Sequence, residues 1–207
     1  LVPVPVSTPV GVTFTAISAG AFHSLALGSD GQTYAWGTGQ YGRLGTGSTA
    51  NSLLPVAVST PPGVSFTALS AGQEHSLALG SDGQTYSWGN GALGRLGTGS
   101  TSNALVPEPV STPPGVTFTM LSAGLFHSLA LGSDGQTYAW GDGADGQLGT
   151  GSTTSTSTPV MMDPTTAVSV TFGGVPGTDL TQDGIEWTVT TPPGQCGPVD
   201  VEVTYTQ

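Results

Sequence analysis

Three histidines, His23, His75 and His127, are each followed by a serine and, seven residues on, by an aspartate: Asp30, Asp82 and Asp134. Histidine, serine and aspartate are the side chains of nucleophilic acyl transfer, so a hydrolase is the first chemistry to test. A second pattern, Gly-x-Gly-x-x-Gly, appears as Gly37, Gly39 and Gly42, as Gly89, Gly91 and Gly94, and as Gly141, Gly143 and Gly146. On paper it is a dinucleotide fingerprint. Neither chemistry fits the spacing. A catalytic triad is a single asymmetric constellation, whereas these residues recur identically, and each Asp precedes a Gly where a hairpin turn calls for Asp-Gly. A phosphate loop needs a helix whose first amides face the pyrophosphate, and Leu-Gly-Thr-Gly follows here instead. The glycines are read as permitting tight loop geometry.

The elements that hold these residues repeat with a period of 52 residues. His23–Gly37 (HSLALGSDGQTYAWG) returns as His75–Gly89 and His127–Gly141 with a single Ala/Ser change. An alternating run, a Ser-Asp-Gly-Gln turn and a second alternating run predict a tight β-hairpin. Leu1–Val6 reads as a preceding strand punctuated by proline, Ser7–Gly11 as a turn, Val12–Ser18 as a second strand ended by Gly20, and the stretch from Gly37 to Ser52 as a glycine-rich loop. Four short strands per unit at such a period predict a β-propeller blade, which cannot bury both faces alone and stacks on its neighbours. The fold class expected is all-β: three four-stranded blades of an incomplete propeller over residues 1–163, and a partial immunoglobulin-like β segment over 164–207. Within that frame, symmetry favours structural histidines hydrogen-bonded at the end of an inner strand; a three-histidine metal ring on the propeller axis is the alternative. Trp36, Trp88 and Trp140, with Tyr34, Tyr86 and Tyr138, read as aromatics packed between blades.

Composition narrows the partners. Charged residues make up 7% of the chain, Lys and Arg together number two, and the formal net charge is −11. Such a surface lacks the clustered cations of a nucleic-acid footprint, so nucleic acid is excluded as a partner. No apolar run reaches the length of a membrane-spanning helix, and no membrane insertion is expected. The single cysteine, Cys196, reads as a buried thiol or as half of a bridge to another chain. Leu1–Val4 matches Leu53–Val56, so the chain is expected to begin part-way through an array.

The strings AGAFHSLALGSDGQTYAWGTGQYGRLGTG, AGQEHSLALGSDGQTYSWGNGALGRLGTG and AGLFHSLALGSDGQTYAWGDGADGQLGTG resemble repeats of the regulator of chromosome condensation family, with AGxxHSLAL, DGxxYxWG and GxLGxG in order. The resemblance implies a propeller, although only three repeats are held here. It also implies that family's founding activity, nucleotide exchange on a small GTPase, for which no residue can be singled out. A group with similar repeats inhibits β-lactamases by covering the active site with one propeller face. The tail VSVTFGGVPGTDLTQDGIEWTVTTPPGQCGPVDVEVTYT reads as strands at Val168–Phe172, Glu186–Thr190 and Val199–Tyr205. Through FGG, TPPG and GPVDVEV it is similar to the immunoglobulin-like fold shared by plexins and transcription factors, the IPT/TIG domain.

Where the repeats differ is more informative than where they agree. The differences gather at Ala21/Phe22, Gln73/Glu74 and Leu125/Phe126, and in the loop holding Thr38, Gln40, Tyr41 and Arg43. Because successive strands alternate in direction, these two regions share one face of the blades, while the near-constant GSDGQ and STPPG turns share the other. The varying face carries Phe22, Tyr41, Arg43, Glu74, Leu93, Arg95, Phe126 and Asp145, a set rich in the Arg and aromatic residues that dominate protein-binding hot spots. It is the candidate protein-binding site. The expectation is a non-enzymatic binding, adhesion or scaffold module that needs no cofactor and recognises a protein or cell-surface ligand. Self-association through open blade edges is a further possibility. Absent Lys, scarce charge and abundant Thr and Ser point to an exported bacterial surface protein, extracellular or cell-surface, with an inhibitor of a secreted enzyme such as a β-lactamase as the alternative.

Overall fold

The computed structural model describes residues 2–162 in full and, beyond them, the backbone of the strands at 167–172, 175–176, 178–183, 186–190 and 201–205. The chain divides into two units, Leu1–Met162 and Asp163–Gln207. In the first, β1 (Phe14–Ala19), β2 (His23–Gly28), β3 (Thr33–Gly37) and β4 (Ser52–Ala57) form one four-stranded antiparallel sheet in sequential order. The second sheet contains β5 (Phe66–Ala71), β6 (His75–Gly80), β7 (Thr85–Gly89) and β8 (Ala104–Pro109). The third contains β9 (Phe118–Ala123), β10 (His127–Gly132), β11 (Thr137–Gly141) and β12 (Thr156–Met161). These are blades 1, 2 and 3. No α-helix occurs among the described residues; the only helical geometry there is a single 3₁₀ turn at Gln40–Gly42 and another at Ala92–Gly94.

The hairpin forms where the Asp-Gly pairs predict it, and the aspartate does more than tolerate a turn. Asp30 Oδ1 accepts from the Gln32 amide at 3.1 Å, and Oδ2 accepts from the Tyr34 hydroxyl at 2.6 Å, so one carboxylate closes the turn and anchors the strand after it. Asp82 and Asp134 repeat both bonds. The tyrosine and tryptophan of that strand flank a phenylalanine of the inner strand: Phe66 stacks on Trp88 at 5.6 Å and tilts against Tyr86 at 5.5 Å.

The phase of the blade corrects the expectation from sequence. Residues 2–9 form no strand, and the Leu-Pro-Val segment at Ser52–Ala57 pairs backwards with β3 as the fourth strand of blade 1, rather than opening blade 2. The register is antiparallel, with Ala35 opposite Val56. An apolar alternating run with loops on both sides is a strand whichever neighbour it joins, so local pattern could not choose. By the same logic Thr156–Met161, which includes Pro159 and Val160, closes blade 3 against β11.

The core lies between blades rather than inside them, as expected of stacked repeats. Leu25, Ala35 and Leu44 of blade 1 pack with Phe66, Ala78, Tyr86 and Trp88 of blade 2. Leu77 and Val110 of blade 2 pack with Phe118, Ala130, Tyr138 and Trp140 of blade 3.

In the second unit, β13 (Ala167–Phe172) pairs with β14 (Val175–Pro176) and β17 (Val201–Tyr205), and β15 (Thr178–Asp183) pairs with β16 (Glu186–Thr190). Two of these, β14 and β15, were not among the three strands expected from sequence. The TPPG turn and Cys196 lie outside the described residues.

Candidate functional site

The β1–β2 turn and the β3–β4 loop of each blade meet at one end, where the Thr38 amide donates to the Phe22 carbonyl at 2.9 Å, Asn90 to Glu74 at 2.9 Å, and Asp142 to Phe126 at 3.0 Å. At the opposite end, the constant hairpin turn is tied to the chain entering the inner strand, with Ser29 donating to the Thr13 carbonyl at 2.8 Å. The variable positions therefore do share an end of the blades.

Along that end runs a row of side chains from all three blades. The Arg43 guanidinium lies 5.4 Å from the Phe22 ring centroid and 5.6 Å from that of Tyr41, and its Nη2 is 3.7 Å from Glu74 Oε1. Arg95 lies 4.9 Å from the Phe126 centroid, with Nη1 3.6 Å from Glu74 Oε2. Phe22, Glu74 and Phe126 occupy equivalent places in blades 1, 2 and 3, and each arginine spans the gap between two of them. Asn90 Nδ2 donates to Glu74 Oε2 at 2.8 Å and fixes the carboxylate. Glu74 is thus the anion that lets two like charges approach.

One expectation changes here. Arg43 and Arg95 are 1% and 3% exposed, so they are not surface anchors but pillars under the face. The backbone draws them in: Arg43 Nε donates to the Gln40 carbonyl at 3.0 Å and Nη1 to the Gln73 carbonyl at 3.4 Å, and Arg95 Nε donates to Ala92 at 2.9 Å. Burial pulls both arginine pKa values down, and the Glu74 charge holds them up. What reaches solvent is the other part of the set: Phe22, 52% exposed, Leu93, 45% exposed, and Asp145, with Tyr41, Glu74 and Phe126 half-buried. Tyr41 (φ 62°) and Leu93 (φ 61°) both hold left-handed backbone, a conformation that costs a non-glycine residue on the order of 1 kcal/mol. Leu125, Phe126, His127, Asp142, Asp145 and Gln147 line a shallow depression of ≈ 260 Å³ beside blade 3.

His23 and His75 bond to the next blade, not to their own serine or aspartate. His23 Nε2 lies 2.8 Å from Ser76 Oγ, and His75 Nε2 lies 2.9 Å from Ser128 Oγ. Ser76 donates its one proton to the Arg43 carbonyl at 3.0 Å, so its oxygen accepts from His23 Nε2–H. A serine that donates to a main-chain carbonyl and accepts from its histidine has no base to activate it. Burial, reinforced by Arg43, pushes the His23 pKa down to about 4. Complete burial, then Arg95 and the neighbouring histidines, takes His75 to about 3. Both rings are neutral over ordinary pH. Among the described residues, no group of three His, Cys, Asp or Glu side chains is placed to hold a metal ion.

Sequence reasoning missed two contributors to the blade junctions. Ser18 and Ser70, which repeat at the period, accept from the Ala71 and Ala123 amides of the next blade at 3.0 and 2.9 Å. A polar residue recurring on an inner strand was the signal available. The other is the glycine loop: a Cβ on Gly42 would stand 2.6 Å from Leu105 Cα, and one on Gly94 2.5 Å from Ser157 Cα, so these glycines admit the edge strand of the following blade.

A blade built from an Asp-Gly hairpin, an inter-blade His–Ser bond and a glycine latch matches a known repeat. The model of the Regulator of chromosome condensation (RCC1) repeat covers residues 30–79, 82–131 and 134–174. The chain belongs to the RCC1 repeat family. A second RCC1 repeat model matches residues 14–43 and 66–95. The ultraviolet-B receptor UVR8 of Arabidopsis thaliana is 34% identical over 158 residues, which is 76% of this chain and 36% of that protein. The E3 ubiquitin-protein ligase HERC2 of Homo sapiens is 33% identical over 149 residues, 71% of this chain and 3% of that protein. Among solved structures, Prp20p of Saccharomyces cerevisiae, described with its binding properties to Gsp1p and histones, superposes with a TM-score of 0.66 at 27% identity over 72% of this chain and 38% of that one. The chain spans little more than a third of UVR8 and Prp20p, and these RCC1 blades are accordingly a part of such a propeller in length.

Proposed function

We propose that this chain is a non-enzymatic protein-binding module, whose contact surface is the end of the blades carrying Phe22, Tyr41, Leu93, Phe126 and Asp145. The observation that carries the reading is the contrast between the two ends. At one end the repeats differ, expose apolar and aromatic side chains, and spend backbone strain at Tyr41 and Leu93 to do so. At the other they are nearly invariant turns. Buried Arg43 and Arg95, tied together by half-buried Glu74, stiffen the row, which lowers the ordering cost of binding. Prp20p, described with its binding properties to Gsp1p and histones, supports the class of ligand rather than its identity. The scarcity of charge and the Thr and Ser richness support an exported, surface-associated adhesin or scaffold.

Photocrosslinking tests the assignment. A photoreactive phenylalanine at Tyr41 or Leu93 is expected to capture a protein from the native environment, and the same group at Gln32 or Gln84, on the constant turns, is not. Equal capture from both ends, or from neither, would refute it.

A further inference from the structure

Asn90 stands in the loop between β7 and β8 with Gly91 directly after it, and an Asn-Gly pair occurs nowhere else in the chain. With no Cβ on the second residue, its amide nitrogen can reach the asparagine side-chain carbon, and the pair is the one most open to deamidation. Separate needs hold the two residues together. A Cβ on Gly91 would collide with the Ser102 carbonyl, so space requires the glycine. Asn90 donates from Nδ2 to Glu74 Oε2 at 2.8 Å and accepts at Oδ1 from the Ala92 amide at 2.8 Å. Thr38 and Asp142 hold the same place in blades 1 and 3, where Phe22 and Phe126 replace Glu74, so the amide accompanies the carboxylate that it clamps.

The nucleophile is tied as well. The Gly91 amide donates to Asn103 Oδ1 at 3.0 Å, and Asn90 itself is 8% exposed. Attack therefore waits for a local opening of the loop that frees this amide from Asn103. The product has a precedent in the same chain: Asp142 Oδ1 accepts from the Ala144 amide at 3.1 Å as Asn90 Oδ1 does from Ala92, so the turn accommodates an aspartate. The difference lies opposite, where blade 3 places the Phe126 ring and blade 2 places the Glu74 carboxylate.

We propose that Asn90 is a deamidation site gated by Asn103, and that its conversion is a one-way charge switch beside Glu74. With the loop open, the Gly91 nitrogen gives up its proton to water and attacks Asn90 Cγ; the side-chain nitrogen leaves as ammonia, and the cyclic imide takes up one water to give aspartate or isoaspartate. No electrons are exchanged with any other group. An aspartate at position 90 has no N–H for Glu74 Oε2 and sets a second anion against it. Arg43 and Arg95 both pair with Glu74, so the change falls on the carboxylate that joins the row of guanidinium groups. The assignment does not depend on what the loop end binds.

The test is incubation of the full, folded chain at mildly alkaline pH, with the amide-to-acid mass gain located by peptide fragmentation. The gain is expected at position 90 and not at Asn51 or Asn103. Asn103→Ala is expected to speed it about 2–10-fold, the factor by which loss of one ordinary hydrogen bond favours opening. Asn103→Ser, patterned on Ser155, which accepts from the Gly143 amide at 3.1 Å, is expected to restore the slow rate. Asn51→Ala removes the equivalent tie to the Gly39 amide in blade 1 and is expected to leave the rate unchanged. The product itself is read from Asn90→Asp, expected to melt about 2–4 °C below wild type. The same change made together with Glu74→Gln is expected to cost less, because position 74 then carries no charge. Absence of the gain at position 90 in every folded chain, over a time in which the urea-unfolded chain converts, overturns the site. A rate in Asn103→Ala no different from wild type, Asn103→Ser or Asn51→Ala overturns the gate, and an Asn90→Asp chain as stable as wild type overturns the charge switch.

Discussion

His23 Nε2 lies 2.8 Å from Ser76 Oγ, across 53 residues of sequence, and this buried bond fastens blade 1 to blade 2. Replacing Ser76 with alanine would leave the imidazole N–H without an acceptor in a dry site. The expected loss is about 1–3 kcal/mol, read from urea unfolding. Ser24→Ala, the same change on blade 1, is expected to stay within about 0.5 kcal/mol because no histidine of residues 2–162 rests on it. Equal losses would show that the hydroxyl serves its own blade.

Acid should loosen the junctions before it titrates most carboxylates. His23 and His75 have folded pKa values of about 4 and about 3, below the ordinary 6.5. Between 6.5 and those values the unfolded chain binds protons that the folded chain refuses, so stability is complete above about pH 6.5 and falls as pH drops. Each histidine contributes a slope of up to about 1 kcal/mol per pH unit. Asp30 and Asp134, held below the usual carboxylate range by their tyrosine hydrogen bonds, act in the same direction further into acid. Urea midpoints at about pH 7 and pH 5 are expected to differ, and His75→Asn to flatten the dependence. A constant midpoint over that range would contradict the burial of both rings.

Arg43→Ala should destabilise the fold by about 2 kcal/mol or more, because the guanidinium donates to two backbone carbonyls and packs between two rings. Its ion pair with Glu74, 21% exposed, adds little to that figure. Arg43→Lys is not expected to rescue it, since an ammonium cannot serve both carbonyls and stack on Phe22. Thermal unfolding of the three proteins decides; a lysine variant as stable as wild type would mean that charge alone matters.

Leu93→Gly should raise stability by up to about 1 kcal/mol by releasing the left-handed strain at φ 61°. If the loop end is a binding surface, the same change weakens capture of a partner, since a 45%-exposed apolar side chain is lost. Stabilisation without any effect on capture would remove Leu93 from the site.

Much of this architecture was legible in the chain. The alternating runs around each Asp-Gly, as in Leu25–Leu27 and Thr33–Trp36, became β2 and β3, because turn chemistry and period-two burial are local properties that every copy states again. The sharing of one end by Phe22 and Tyr41 followed from strand alternation alone. What only the tertiary structure decided is which blade each contact serves. Ser52–Ala57 could join either neighbour by its pattern, and stacking chose the preceding sheet. His23 sits beside Ser24 in sequence yet bonds Ser76, and Arg43, read as an exposed anchor, is drawn under the face by the Gln40 and Gln73 carbonyls. Those choices depend on the angle and distance between adjacent twisted sheets, which no single repeat encodes and which exist only once the blades are stacked.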